Sequence, residues 1–168
     1  MGKYFITGRP GSGKSTVMRE LQQRGFTAYD TDSIEGVTAL QNKETGLIVP
    51  WPNGPVDWTR FSWNWQDAPL RRLLNKDGDI FLGAIVGNQK DYYPLFDTVF
   101  ALTLSKETLA QRLDIHEHER TQQEKDQAIA VHDEKQTRWT DQRLVLVSSE
   151  RPVNEIVDEI LGHLQIKL

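Results

Sequence analysis

Short apolar runs recur along the chain and alternate with stretches whose apolar residues repeat at helical spacing. Tyr4-Phe5-Ile6-Thr7, Phe26-Thr27-Ala28-Tyr29, the run 79–86, the run 98–104 and Leu144-Val145-Leu146-Val147 read as strands. The run 79–86 is nearly continuous, as in a parallel strand covered on both faces. Between the strands, Val17, Met18 and Leu21, then Leu70, Leu73 and Leu74, then Leu109 and Leu113 each fall on one helix face. Gly25 ends the first of these helices, and Ser105 is placed to cap the third with Thr108 in its first turn. Pro152 stands in the first turn of a closing helix on which Val153, Ile156, Val157, Ile160, Leu161 and Leu164 recur. Strands alternating with helices predict an α/β fold, a three-layer sandwich around a parallel sheet of about five strands.

Two stretches break this rhythm. Residues 41–67 carry Trp51, Trp58, Trp63 and Trp65, with Pro50, Pro52 and Pro55 interrupting any helix. A loop-rich insertion is expected there. Its tryptophans, Trp51, Trp63 and Trp65 foremost, either face a planar or amphipathic ligand or form a satellite core under a long loop. Residues 114–142 are polar, with Ala128, Ile129 and Val131 as their apolar cluster, and are expected to form a solvated lid. His116 and His118 lie two apart and do not share a helix face, which argues against a metal site in that run.

The chemistry is concentrated near the start. Gly8-Arg9-Pro10-Gly11-Ser12-Gly13-Lys14-Ser15 has the spacing of a P-loop, followed by Thr16. With Gly at about 7% of average sequence, fewer than roughly one in a hundred chains of this length would match by chance. Gly11 and Gly13 permit a backbone that turns successive N–H groups onto phosphate oxygens at a helix N-terminus, and Lys14 adds a mobile positive charge. The Ser15 hydroxyl is expected on a Mg²⁺ ion bridging the β- and γ-phosphates of ATP. The second strand delivers Asp30-Thr31-Asp32 to its C-terminal end, where open α/β sheets bind ligands. Alternatively, Asp32 or Ser33 caps a helix running through Ile34 and Val37. The run 79–86 ends in Gly87-Asn88-Gln89, and no carboxylate follows it until Asp91. The metal is therefore expected on Ser15, one Asp of the 30/32 pair and water, with Asp91 as the other option.

Composition narrows the function classes. The 168 residues, 38% hydrophobic and 26% charged, suit a single domain over 1–168 and contain no apolar run near the roughly 20 residues of a membrane span. A net charge of −4 argues against a nucleic-acid-coating surface, and the lack of Cys excludes disulfides and thiolate zinc sites. Because the opening residues feed directly into the P-loop strand, no cleavable signal is expected, and ATP and Mg²⁺ make the cytoplasm the natural compartment. A monomer or homodimer is expected.

The order of P-loop, Asp-x-Asp at the second strand end, aromatic insertion, Gly-terminated third strand, polar lid and Pro-started last helix resembles the P-loop kinases of small molecules. That group includes the nucleoside monophosphate kinases and shikimate kinase, and the likeness covers nearly the whole chain. Gly8 to Thr16 and Tyr29-Asp30-Thr31-Asp32 are most similar to the shikimate-kinase branch. The resemblance implies that Gly8, Pro10, Gly11, Ser12, Gly13, Lys14, Ser15 and Thr16 hold ATP, that Asp30 supports Mg²⁺, and that Asp32 contacts the acceptor hydroxyl. It also implies a lid arginine, Arg120, on the phosphates and a lid-base arginine, Arg112, on adenine. Gly87-Asn88-Gln89 replaces the Gly triplet of shikimate kinase, and the Trp-rich insertion differs too, which argues against shikimate itself. The chain looks more like uncharacterised bacterial nucleotide-kinase-like proteins of the superfamily. The expected activity is transfer of the γ-phosphoryl of ATP·Mg to a small hydroxylated or phosphorylated acceptor, a nucleoside or nucleotide foremost. A nucleotide-dependent regulatory ATPase or switch is the competing class.

Overall fold

The computed structural model describes residues 1–116, 121–130, 132 and 144–166. Along the chain run β1 (Lys3–Gly8), α1 (Lys14–Gln23), β2 (Thr27–Asp30), β3 (Thr38–Asn42), β4 (Phe61–Trp65), α2 (Asp67–Leu74) and β5 (Ile80–Gly83). There follow α3 (Gln89–Tyr92), β6 (Thr98–Thr103), α4 (Lys106–His116), α5 (Gln122–Ala130), β7 (Leu144–Ser148) and α6 (Val153–His163). Strands β2-β5-β1-β6-β7, in that order, form a five-stranded parallel sheet. β1 is therefore central, and its C-terminal end opens into the Gly8–Ser15 loop with neighbours on both sides.

The period of two in β1 divides the core into layers. Tyr4 and Ile6 pack with Val17, Met18 and Leu21 of α1 and Ile156, Val157, Ile160 and Leu161 of α6. Phe5 turns the other way, onto Leu70, Leu73 and Leu74 of α2 with Tyr93, Phe96 and Trp65. Each side chain buried this way contributes roughly 1.5–3 kcal/mol. The sandwich read from the sequence is the one observed.

The insertion is more ordered than its prolines predict. β3 and β4 pair antiparallel, with Leu40 opposite Trp63 and Thr38 opposite Trp65, as a separate two-stranded sheet. The helix expected through Ile34 and Val37 does not form. Thr31–Ser33 makes one 3₁₀ turn whose cap is Asp30, accepting from the Asp32 N–H, and Ile34 is already extended. Gly36 then takes φ 79°, and Val37 accepts from the Gln66 N–H at 2.8 Å. The pairing with a segment nearly thirty residues on overrides the local helical spacing.

Gly87 locks the hairpin to the main sheet. Its N–H donates to the Trp63 carbonyl at 2.7 Å, while Asn88 holds both polar groups of the Trp65 backbone through its amide. A Cβ on Gly87 would lie 2.0 Å from Ser62 Oγ and 2.8 Å from Asn64 Oδ1. Gly87→Ala is therefore expected to push β4 off the sheet and destabilise the protein by roughly 1–3 kcal/mol, as overpacking does. Thermal unfolding checks this, and Ser62→Gly in the same chain should restore part of the loss by freeing the crowded space.

Candidate active site

The β1–α1 turn has the shape its glycines permit. Gly11 and Gly13 take φ 83° and 88°, a region closed to most L side chains, and Gly13 is the left-handed cap from which α1 starts without a side-chain cap. Ser12 N donates to the Arg9 carbonyl at 2.9 Å. The Ser12 hydroxyl is fully buried against Gly8 and has no hydrogen-bond partner among the described residues. An uncapped helix N-terminus, an orphaned hydroxyl and a lysine at the first helical position form a donor-rich cradle suited to phosphate oxygens. Pro10 sits exposed on the crest, and Thr16 is exposed on the first turn of α1.

Two carboxylates face this cradle from the end of β2. Ser15 Oγ donates to Asp30 Oδ2 at 2.8 Å, so the P-loop hydroxyl and one carboxylate already stand together as hard oxygen donors. They fit a Mg²⁺ ion. Asp91, the other option, is exposed on α3. Asp32 Oδ1 instead accepts the Trp63 indole N–H at 2.9 Å. Between the pair, Thr31 is buried: its hydroxyl donates to the Gly83 carbonyl at 3.2 Å and accepts the Trp65 indole N–H at 2.9 Å.

The charges are mutually strained. Burial lowers the Lys14 ammonium below its ordinary pKa, and the fields of Asp32 and Asp30 only partly offset this. Burial likewise pushes the Asp32 carboxyl up from its usual range; the Trp63 N–H and Lys14 oppose the rise, and the charge of Asp30 adds to it. A polyphosphate arriving at Lys14 would add to the negative fields of Asp32 and Asp30 in offsetting the burial of the ammonium.

The tryptophans divide. Trp65 is 1% exposed and packs on Phe5, Tyr92 and Phe96, so it is a core residue and not an acceptor contact. Its end of β4 tucks beneath β1, which the sequence alone does not reveal. Trp51 is 58% exposed and meets the Trp63 ring edge-on at 5.5 Å, and Trp58 at 53% adjoins Trp51. A cavity of about 520 Å³ opens beside them, lined by Leu40, Val49, Pro50, Trp51, Pro52, Asn53 and Phe61.

On the far side, Arg112 of α4 donates from Nη1 to the Gly11 carbonyl at 3.0 Å and from Nη2 to the Ser149 carbonyl, joining the P-loop to the loop after β7. Arg120 and most of the 114–142 lid fall outside the described residues. The described part, α5, packs Ala128 and Ile129 on Leu104, Leu109 and Leu113. One contact has no signal in the sequence. Arg9 is buried in the P-loop, and its Nη1 reaches His132 Nδ1 at 3.3 Å and the Ala128 carbonyl at 3.4 Å. His132 Nε2 lies 2.8 Å from the Leu104 carbonyl, which only accepts. The geometry suits Nε2 as donor to the Leu104 carbonyl and Nδ1 as acceptor from Arg9.

Residues 5–132 match the family described as AAA domain. The chain belongs to that family. Its fold is shared with a gluconokinase from Sinorhizobium meliloti 1021, at 20% identity and TM-score 0.59 over 98% of this chain and 91% of that one. It is shared equally with deoxyadenosine kinase from M. mycoides bound to dATP, at 16% identity and TM-score 0.58 over 98% and 100% of the two chains. Shikimate kinase from Aquifex aeolicus follows at 19% identity and TM-score 0.56, over 97% and 96%. No curated protein matches the sequence. The AAA-domain chain thus has the P-loop small-molecule kinase fold its motif order resembles. Among its described residues no helix is long and apolar enough to cross a membrane.

Proposed function

We propose that this AAA-domain protein is an ATP-dependent phosphotransferase that moves the γ-phosphoryl of ATP·Mg to a small hydroxylated or phosphorylated acceptor, a nucleoside or nucleotide. The observation that carries the reading is the division of labour between two adjacent carboxylates: Asp30 is engaged by the P-loop hydroxyl of Ser15, and Asp32 is not. A nucleotide switch needs the first and has no use for the second.

Backbone N–H groups of the turn around Gly8, Gly11, Ser12 and Gly13 hold the phosphates, and Lys14 neutralises their charge. Mg²⁺ held by Ser15 and Asp30 supplies further charge neutralisation when bound. Asp32 orients the attacking group of the acceptor and accepts its proton. Arg112, at the adenine end of the loop, presents its guanidinium face to the base, and Arg120 is assigned to the phosphates as the lid closes. Supply of ATP and Mg²⁺ makes the cytoplasm the compartment of the reaction.

Asp30→Asn should raise the Mg²⁺ concentration needed for half-maximal activity, because the cation loses a charged oxygen donor. The fold should hold, since Asn caps a turn as well as Asp. A magnesium titration of turnover alongside a melting curve checks both halves. The reading as a whole is tested by following ADP release across a panel of nucleosides, nucleotides and sugar acids. Strong dependence on one acceptor class is expected, and ATP hydrolysis indifferent to every acceptor would overturn it.

A further inference from the structure

The acceptor side of the site has a direction built into one face of the hairpin. Phe61, Trp63 and Trp65 alternate with Ser62 and Asn64 along β4, so the three aromatic rings share a face with Thr38, Leu40 and Asn42 of β3. Trp65 anchors the inner end by its bond to Thr31, Trp63 reaches Asp32, and Phe61 walls the apolar cavity with Leu40 and Trp51. Alternate residues of a strand are about 7 Å apart, so the cavity begins roughly one sugar ring beyond the residue that touches Asp32.

Charge decides what sits at the inner end. A phosphate acceptor carries about −1.5 to −2 charges, is already a competent nucleophile, and needs cations around it. Here the attacking group would meet Asp32 with Asp30 beside it. Of the described cations near the loop, Lys14 faces both carboxylates, Arg9 is buried with its Nη1 on His132 and the Ala128 carbonyl, and Arg112 is spent on backbone carbonyls. Lys43, bonded to the Trp58 carbonyl, and Arg60, 5.6 Å from the Phe61 ring centroid, stand at the end of the hairpin away from Asp32. A hydroxyl, by contrast, needs the carboxylate that is there. At the outer end the cavity is aromatic and apolar, of a volume ordinary for small-ligand pockets, with the Asn53 amide as a donor and acceptor for a ring edge.

We propose that the acceptor is an unphosphorylated nucleoside, its base in the cavity between Trp51 and Phe61 and its sugar hydroxyl at Asp32 Oδ2, beside the Oδ1 that the Trp63 N–H occupies. This rests on the phosphotransferase reading above. In the transfer, the hydroxyl oxygen forms a bond to the γ-phosphorus as the bond from that phosphorus to the β–γ bridging oxygen breaks. ADP leaves with the electron pair of that bond, and the hydroxyl proton passes to Asp32. Trp63 is a positioning residue: by taking Asp32 Oδ1 it fixes the carboxylate and leaves Oδ2 for the acceptor.

The test compares adenosine, guanosine, cytidine, uridine and thymidine with their 5′-monophosphates, and with gluconate and shikimate, by ADP release and mass of the product. At least one nucleoside should be phosphorylated with kcat/KM about 100-fold above its own monophosphate. Trp51→Ala, at an exposed position that should not disturb folding, is expected to raise nucleoside KM by about 5–150-fold with kcat nearly unchanged, the fold-change equivalent to losing one base-stacking contact of roughly 1–3 kcal/mol. Trp51→Phe should recover most of it. Preferred turnover of a monophosphate or an acid, or an unchanged KM in Trp51→Ala, would overturn the nucleoside assignment while leaving the phosphotransferase in place. Acceptor-dependent turnover with none of the compounds would overturn both.

Discussion

Asp32→Asn is expected to lower kcat by roughly 10²–10⁴, leave ATP affinity within a few-fold, and raise the melting temperature of the ligand-free protein. The first effect follows from losing the charge and basicity that orient the attacking hydroxyl. The second follows because that interaction belongs to the transition state. The third comes from linkage. Burial raises the Asp32 pKa above its unfolded value, so the folded state binds the proton more tightly than the unfolded one. Stability contributed by this group is therefore greatest at low pH and is lost as pH rises from the unfolded pKa through the raised folded one. Above the raised folded pKa the parent carries the penalty and the amide carries none of it, while Asn still offers an oxygen to the Trp63 N–H. The acid limb of the parent pH–rate profile should accordingly lie above the ordinary carboxylate range and vanish in the variant. Steady-state kinetics with a working acceptor decides the matter, and kcat within a few-fold of the parent would remove Asp32 from the mechanism. A capping role is already accounted for, since Asp30 and not Asp32 caps the 3₁₀ turn.

The second large effect is at Lys14. Lys14→Ala should abolish measurable ATP·Mg²⁺ binding in calorimetry and lower kcat/KM by at least about 10²–10³, the scale on which removal of one preorganised donor is felt. The ammonium is held in a site whose burial lowers its pKa despite Asp30 and Asp32, so it is under-solvated before the nucleotide arrives and gains most from a polyphosphate. Removing it also takes away the cation whose field Asp32 and Asp30 share, so anionic ligands are rejected as well as unassisted. A melting curve confirms that the variant is folded. Binding as tight as the parent's would make the P-loop reading wrong.

Much of this site was legible from residue types because its chemistry is local. Gly11, Gly13, Lys14 and Ser15 lie within five residues, and Asp30 and Asp32 are two apart, so spacing alone carries their geometry. The sheet was legible for a similar reason: runs such as Ile80–Gly83 are apolar on both faces because helices cover both. The hairpin was less so. The alternation Phe61, Trp63, Trp65 against Ser62, Asn64 is a strand signature, but three prolines upstream point to loop, and β3 is recognisable only through its distant partner. Trp65 shows the limit most clearly. On one strand face it shares composition and spacing with Trp63, yet it fills the core while Trp63 borders the site, and the difference is set by Phe5 and Phe96 packed over it. The Arg9–His132 contact spans more than a hundred residues and leaves no local pattern at all.

Thr31 joins the carboxylate pair to the hydrophobic interior. One buried hydroxyl holds the β5 backbone on one side and a core indole on the other, and Asp30 and Asp32 are its immediate neighbours in the chain. The spacing of the Asp30 and Asp32 carboxylates is therefore inherited from the folding of the hydrophobic interior, before any ligand is present. On the proposed nucleoside assignment, evolution of a new acceptor preference has two separable dials: residues around Trp51 would alter what is held, whereas repacking beneath Trp65 would alter how well anything held is aligned. A lineage adjusting the second would show its history as changes in turnover scattered through the core, far from any residue that meets a substrate.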